Sequence, residues 1–220
     1  MTRATSNLLP GFKYKKFQQI LLVLYTIVWI YYAIDPLYRP EWLLENSLVF
    51  LFLPLLFVTY KKYQLSDLSY LMLTIFMLFH VVGSHYGYSD VPIGFKLKEM
   101  FGLLRNPYDR IVHFSYGLLF AYPIYELLLR YAKFKGAWLY FLPISFILSL
   151  SAVYEIIEAV VAWTLPPEQY NPFIGLQGDI WDGFKDMLLA LAGVSFTTIC
   201  IYLSDYGRSQ RIKNSSNVEQ

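Results

Sequence analysis

Charge is what this sequence has least of. Charged residues fill 15% of its 220 positions, against roughly 25% in ordinary soluble domains. That shortage argues against a solvated surface and fits a lipid-facing one, because a charge at the bilayer centre costs at least ~2.5 kcal/mol. Cysteine is nearly missing too. Cys200 stands alone inside an apolar run, which excludes an intrachain disulfide and a CxxC metal site and leaves a buried structural thiol as its reading. There is no HExxH motif, no internal repeat and no low-complexity linker. The chain therefore reads as one domain over residues 1–206, followed by a polar cytoplasmic tail, 207–220, expected to be disordered. The net charge of +2 is too small to suggest nucleic acid as a partner.

What is present is apolar and aromatic: 56% hydrophobic and 19% Phe, Trp and Tyr. A spanning helix needs about 20 mainly apolar residues. Six segments qualify: 17–34, 42–60, 68–83, 111–131, 138–163 and 184–203. The expected fold is all-α, a polytopic bundle of about six transmembrane helices with the lipid bilayer as its surroundings. Residues 1–16 are polar and basic, and no small-residue cleavage site follows the first apolar run, so that run reads as an uncleaved helix. Most Tyr and Trp residues read as interfacial anchors.

Orientation follows from the basic residues. Arg3, Lys13, Lys15, Lys16, Lys61, Lys62, Arg130, Lys133, Lys135, Arg208, Arg211 and Lys213 fall on one side. Arg39, Lys96, Lys98, Arg105 and Arg110 fall on the other, and Lys185 sits at a helix mouth. The richer side is expected to be cytoplasmic, with both termini there. The long connections 84–108 and 164–180 then lie outside; stretches 85–88 and 169–178 read first as plain connections, with a lid over whatever lies beneath as the alternative.

That topology gathers ionisable residues at the outer end. The third segment ends on His80 and His85. The fourth opens with Asp109, Arg110 and His113. The last third of the fifth carries Glu155 and Glu158, and the sixth opens with Asp179, Asp182, Lys185 and Asp186. These include all three histidines and six of the sixteen carboxylates. Asp109 and His113 are i, i+4; Glu155 and Glu158 are i, i+3; Asp179, Asp182 and Asp186 step by three and four. Each set shares one helical face. Intramembrane carboxylates turn towards the bundle or a wet cavity rather than lipid, so the three faces are expected to meet.

Each residue also has a plainer explanation. Asp179 or Asp182 could cap a helix, and Asp109 could be an N-cap. His80 could be a satisfied bundle residue, and Arg110 could pair with Glu155 or Glu158. Capping does not account for two glutamates in a helix interior, nor for the histidines lying at one end. A shared site is the better reading. His113 with Asp109 would do acid–base work, with Glu158 and Asp182 beside them as catalytic carboxylates. His80, His85, Glu155, Asp179 and Asp186 are candidate ligands for a divalent metal such as zinc or manganese. Arg110 and Lys185 would hold an anionic group.

Four stretches carry a family resemblance: His80-Val-Val-Gly-Ser-His85-Tyr86, Tyr108-Asp-Arg-Ile-Val-His113-Phe114, Tyr154-Glu-Ile-Ile-Glu158 and Gln177-Gly-Asp-Ile-Trp-Asp182-Gly-Phe-Lys-Asp186-Met187. Together they resemble the YjdF-type bacterial inner-membrane proteins over nearly the whole chain. The resemblance implies a multi-pass inner-membrane protein and brings no activity with it. Over residues 109–194 the order Asp109-Arg-Ile-Val-His113-Phe114, Glu158, Asp182-Gly-Phe-Lys-Asp186 is also similar, more loosely, to VanZ-like membrane proteins, with Arg110 where lysine is usual and no glutamine after the glutamate. The expected function is an envelope enzyme with an outward-facing site for a lipid or lipid-linked substrate. An ion-coupled transporter and a non-catalytic membrane partner are the alternatives; the scarcity of charge in the inner halves of the helices weighs against a transport pathway.

Overall fold

The computed structural model describes residues 15–164, 166, 175 and 177–218. Among them there are seven α-helices and one 3-10 turn: α1 (Lys15–Ala33), α2 (Arg39–Thr59), α3 (Asp67–Tyr86), the turn Tyr88–Asp90, α4 (Pro92–Phe101), α5 (Tyr108–Arg130), α6 (Trp138–Thr164) and α7 (Asp182–Val218). Five of these, α2, α3, α5, α6 and α7, are long and apolar enough to cross a membrane. Helix α1 falls outside that set; its Lys15–Gln19 opening dilutes an otherwise apolar helix. Large apolar side chains such as Leu51, Phe57, Val58, Ile156 and Phe196 point outward, the arrangement expected where the solvent is hydrocarbon. The molecule is a multi-pass helical membrane protein.

Helix α5 is the hub. It packs on α7 most extensively, and also on α3 and α6, while α1 leans on α3. The α5–α7 contact is close because glycine lines it. A Cβ on Gly117 would stand 2.0 Å from the Ala190 carbonyl oxygen, and one on Gly193 would stand 2.2 Å from that of Phe114. Small residues that let backbones touch are a general device of membrane bundles, where apolar burial gives no advantage over lipid. Ala121, Ile147, Ala190 and Val194 seal the seam below.

One end of the bundle is fastened by Glu126, which is fully buried. Its carboxylate accepts from the Ser66 amide (2.8 Å), the Ser66 hydroxyl (2.9 Å) and the Ser69 hydroxyl (2.5 Å), and Arg130 lies 3.0 Å away. The Glu126–Arg130 pair is the i, i+4 bridge that the spacing suggests. Ser66 also caps α3, accepting from the Ser69 amide.

Three features depart from the sequence reading. Connection 84–108 holds α4, too short and too mixed in charge to stand out by hydropathy. Helix α7 continues through Gly207 to Val218, where a disordered tail is expected. Gln210, Arg211 and Lys213 are good helix formers and no proline intervenes, so a helix already nucleated in α7 can propagate. Cys200, expected to be buried, is exposed; it lies on an outer face of α7, where a thiol is compatible with lipid.

Candidate functional site

The C-terminal end of α3 and the N-terminal ends of α5 and α7 lie at the same end of the bundle, opposite Glu126. Helix α5 starts after Pro107, and Asn106 holds that start: its side-chain oxygen accepts from the Tyr108 amide (3.0 Å) and its amide nitrogen donates to the Val91 carbonyl (3.0 Å). Asp109 is therefore in the first turn rather than at the N-cap, and its buried side chain points into the bundle.

His113 lies one turn along from Asp109. Its Nε2 is 3.5 Å from Asp109 Oδ1 and 3.8 Å from Glu155 Oε1, both longer than a hydrogen bond. Asp186 approaches from α7, and ligand atoms of Asp109, His113 and Asp186 all lie within 4.8 Å of one another. Asp186 is 2% exposed, and its Oδ1 has no hydrogen-bond partner; neither has Glu155 Oε1. Glu155 Oε2 is seated over Gly183, where a Cβ would come within 2.4 Å of it.

Above this triad is a lattice of ion pairs. Arg105 contacts Asp182 through Nη1, lies 3.6 Å from Asp109 through Nη2 and donates to the Gly175 carbonyl at 3.3 Å. Arg110 pairs with Asp179 at 2.5 Å and Asp182 at 3.5 Å; Lys185 reaches Asp179 at 2.6 Å. The Lys185 hydrogen bond, with help from the Trp181 amide and Arg110, holds the Asp179 carboxyl at about 2, below its ordinary 3.8. The Asp179 side chain also accepts from the Trp181 amide (3.1 Å), so it caps the start of α7 as well. Gln177 and the Asn106 backbone exchange hydrogen bonds of 2.8 and 3.1 Å, tying the connection before α7 across the mouth. The remainder of the candidate lid 169–178 lies outside the described residues, apart from Gly175 and Gly178.

The structure thus joins Asp109, His113, Glu155 and Asp186, and places Asp179, Asp182, Arg110 and Lys185 in a lattice around them. Arg110 pairs with aspartates of the α6–α7 segment and not with Glu155 or Glu158. His80 and Glu158 line a cavity of about 370 Å³ between α2, α3, α5 and α6, together with Asp109, His113, Tyr88 and Tyr154. His85 is turned elsewhere: its Nδ1 is 2.8 Å from the Tyr32 carbonyl oxygen and its ring packs on Tyr32 and Tyr86. It stands five positions after His80, which puts the two on different faces of α3.

Several participants are not singled out by the sequence reading. Glu45 of α2 is 3% exposed, accepts from the Tyr154 hydroxyl at 2.8 Å and has its Oε2 3.9 Å from His80 Nδ1. The Tyr88 hydroxyl, which burial pushes well above the usual tyrosine range, is 2.7 Å from that same His80 nitrogen. Glu41 and Glu45 are i, i+4 near the start of a helix that begins at this end of the bundle, a signal of the same kind as Asp109 and His113. Arg105 precedes α5 and reads as a loop charge until α7 is placed beside it.

The chain matches, over residues 17–205, the family described as predicted membrane protein (DUF2238). It is 37% identical over 175 residues to the inner membrane protein YjdF of Escherichia coli (strain K12), an alignment covering 79% of this chain and 83% of that protein. No solved structure matches it.

Proposed function

The chain belongs to the DUF2238 family of predicted membrane proteins, and from that premise we propose that it is an inner-membrane, envelope-facing enzyme that uses a divalent metal to hydrolyse or transfer a lipid or lipid-linked substrate. In this reading it spans six times, α1 included, with both termini in the cytoplasm and the His/carboxylate site under the outer surface.

The observation that carries the proposal is the Asp109–His113–Asp186 triad. In a tetrahedral zinc site with bonds of about 2.0–2.1 Å, neighbouring ligand atoms lie roughly 3.4 Å apart. The 3.5 Å between His113 Nε2 and Asp109 Oδ1 matches that spacing. Charge points the same way: Asp109, Glu155, Asp179, Asp182 and Asp186 are set against Arg105, Arg110 and Lys185. The excess is negative and largely buried, and a divalent cation would offset it.

The triad would hold a divalent ion, which would supply activation of a water as a nucleophile at neutral pH. Glu155 and Glu158, on the α6 wall, would orient that water and take its proton. Asp109 and His113 thereby become ligands and not an acid–base pair. Arg110 and Lys185, already bound to Asp179, would fix α7 against α5 in place of gripping substrate. The cavity below is lined by Leu51, Leu55, Leu150 and Ile157, which suits an acyl or prenyl chain. At the opposite end of the bundle Glu126 is fully hydrogen-bonded, which favours a site with one mouth over a transport path.

The test is metal analysis of the purified protein after loading with zinc or manganese. Near-equimolar metal is expected in the wild type and a loss of at least tenfold in affinity in His113→Ala and Asp186→Asn; wild-type protein that binds neither ion overturns the reading. In nanodiscs made from membrane lipids, mass spectrometry should then find a lipid product that Asp186→Asn does not make. A periplasmic reporter fused after Ser209 should be inactive; an active one reverses the orientation.

A further inference from the structure

We propose that the cavity beside the candidate metal ligands takes one acyl chain of a lipid, admitted from the bilayer between α2 and α6 and stopped by a layer of aromatic rings at the cavity floor. The inference rests on the reading of that cavity given above, and narrows an acyl or prenyl chain to a chain of single-leaflet length.

The upper end of the cavity is the candidate site itself, because Asp109 and His113 line it. Its volume of about 370 Å³ falls among ligand pockets, which hold about 300–1,000 Å³. The back wall is α3 and α5, with Met77, Val112 and Tyr116. The front edges are Leu51 and Leu55 of α2 and Leu150 and Val153 of α6. All four line the cavity, and all four are exposed on the outside of the bundle. Side chains that border a cavity and the surroundings at once are the rims of an opening. Helix α2 leans on α3 and has no extensive contact with α6 among the described residues. Above the gap the Tyr154 hydroxyl donates to Glu45 at 2.8 Å, which ties α6 to α2 at the end where α2 begins. The opening is therefore framed on its upper side, and it faces hydrocarbon. What passes through it is apolar chain.

The floor is aromatic. Phe52, Phe76, Tyr116 and Phe120 come from three helices, and all line the cavity. Ring centroids are 5.0 Å apart for Phe76 and Phe120, 5.0 Å for Tyr116 and Phe120, 5.7 Å for Phe76 and Tyr116, and 6.0 Å for Phe52 and Phe120. Those are the spacings of packed aromatic pairs, so the four rings make one connected layer. Phe120 stands eleven positions after Asp109 on α5, about 16 Å along the helix. That is roughly half of a hydrocarbon core of ~30 Å. A lipid with its head group at Asp109 and His113 fills the distance with a chain of one leaflet. A polyprenyl chain long enough to cross the bilayer meets the rings and has to turn back out.

The experiment is photo-crosslinking of the full-length protein in nanodiscs that contain phosphatidylethanolamine with a diazirine at the end of one acyl chain, with the adducts mapped by mass spectrometry. In the wild type they should concentrate on Phe76, Tyr116 and Phe120. Adducts confined to outward-facing residues such as Phe57 and Phe196 overturn the proposal. Leu51→Trp combined with Leu150→Trp fills the rims at two exposed positions. It should lower labelling of the layer about tenfold and leave labelling of Phe196 unchanged; undiminished labelling of the layer overturns lateral entry. A probe with a longer chain should label the layer less than the first probe does. Phe120→Ala or Phe52→Ala, whichever keeps the wild-type melting behaviour in detergent, should reverse that order, and an unchanged order overturns the floor. A polyprenyl phosphate with a terminal diazirine that labels the layer as strongly as the acyl probe overturns the chain class. Metal content read in the same samples separates the two readings: metal without labelling of the layer sinks this one alone, and labelling without metal sinks only the metal centre.

Discussion

The carboxylate of Glu155 lies directly over Gly183, and a single methyl group there would come within 2.4 Å of Oε2. The sequence around it, Asp182-Gly-Phe-Lys-Asp186, places a residue without a side chain where α6 delivers an acid to the first turn of α7. Glycine in a helix is otherwise a liability of roughly 0.5–1 kcal/mol against alanine. Its presence here is explained by what sits on it.

Gly183→Ala should therefore separate folding from binding. The helix gains propensity, so thermal stability should hold within about 1 kcal/mol, while Glu155 is pushed off its seat. Calorimetric titration with zinc should show affinity lowered about tenfold. Unchanged affinity would mean that Glu155 does not serve the triad.

Gly193→Val tests the α5–α7 seam. A Cβ at this position would be 2.2 Å from the Phe114 carbonyl oxygen and 2.7 Å from the Leu118 amide nitrogen, both backbone atoms that cannot step aside. Overpacking of this kind costs about 1–3 kcal/mol or more. The variant should unfold at markedly lower denaturant in detergent than Gly207→Val, whose position has open space around it.

Glu126→Ala should be among the most damaging changes away from the site. It leaves Arg130 without its buried partner and takes the acceptor from Ser66 and Ser69. Breaking a buried pair from one side costs about 3–5 kcal/mol. Equilibrium unfolding should report a loss of that size, with zinc affinity in the folded fraction unchanged, since Glu126 is at the far end of the bundle.

Asp179 sets a pH dependence. Its carboxyl titrates at about 2 in the folded protein against an ordinary 3.8. A depressed carboxyl contributes stability that is fully present above its unfolded value and is lost as pH falls through the folded one. The melting difference between wild type and Asp179→Asn should stay constant from pH 7 to about pH 4 and shrink below it. A difference that fades already at pH 6 would place the titration elsewhere.

The helices were legible because hydropathy reports burial in lipid directly. Segments 111–131 and 138–163 correspond to α5 and α6 within three residues. The candidate site was legible in part, because i, i+4 spacing fixes which residues share a face: Asp109 with His113, and Asp182 with Asp186. Spacing does not say how one helix is rotated against another. That is why Asp179 and Asp182 turn out to face Arg110 and Arg105, whereas His85 falls out of the cluster by its own spacing from His80. Glu45 was missed because an acid near a helix end reads as an interface charge until Tyr154, 109 residues along the chain, is brought against it. The continuation of α7 past Gly207 depends on propagation from a helix already formed, which composition read window by window does not capture.

The fastening at Glu126 bears on how the cavity can move. It clamps the beginning of α3 to the last turns of α5, the two helices that carry His80 and His113 at their other ends. Held there like the closed end of a pair of tongs, those helices would pivot about the grip if their tips were to spread. A guest would then be admitted by a change in angle, with no helix unwound.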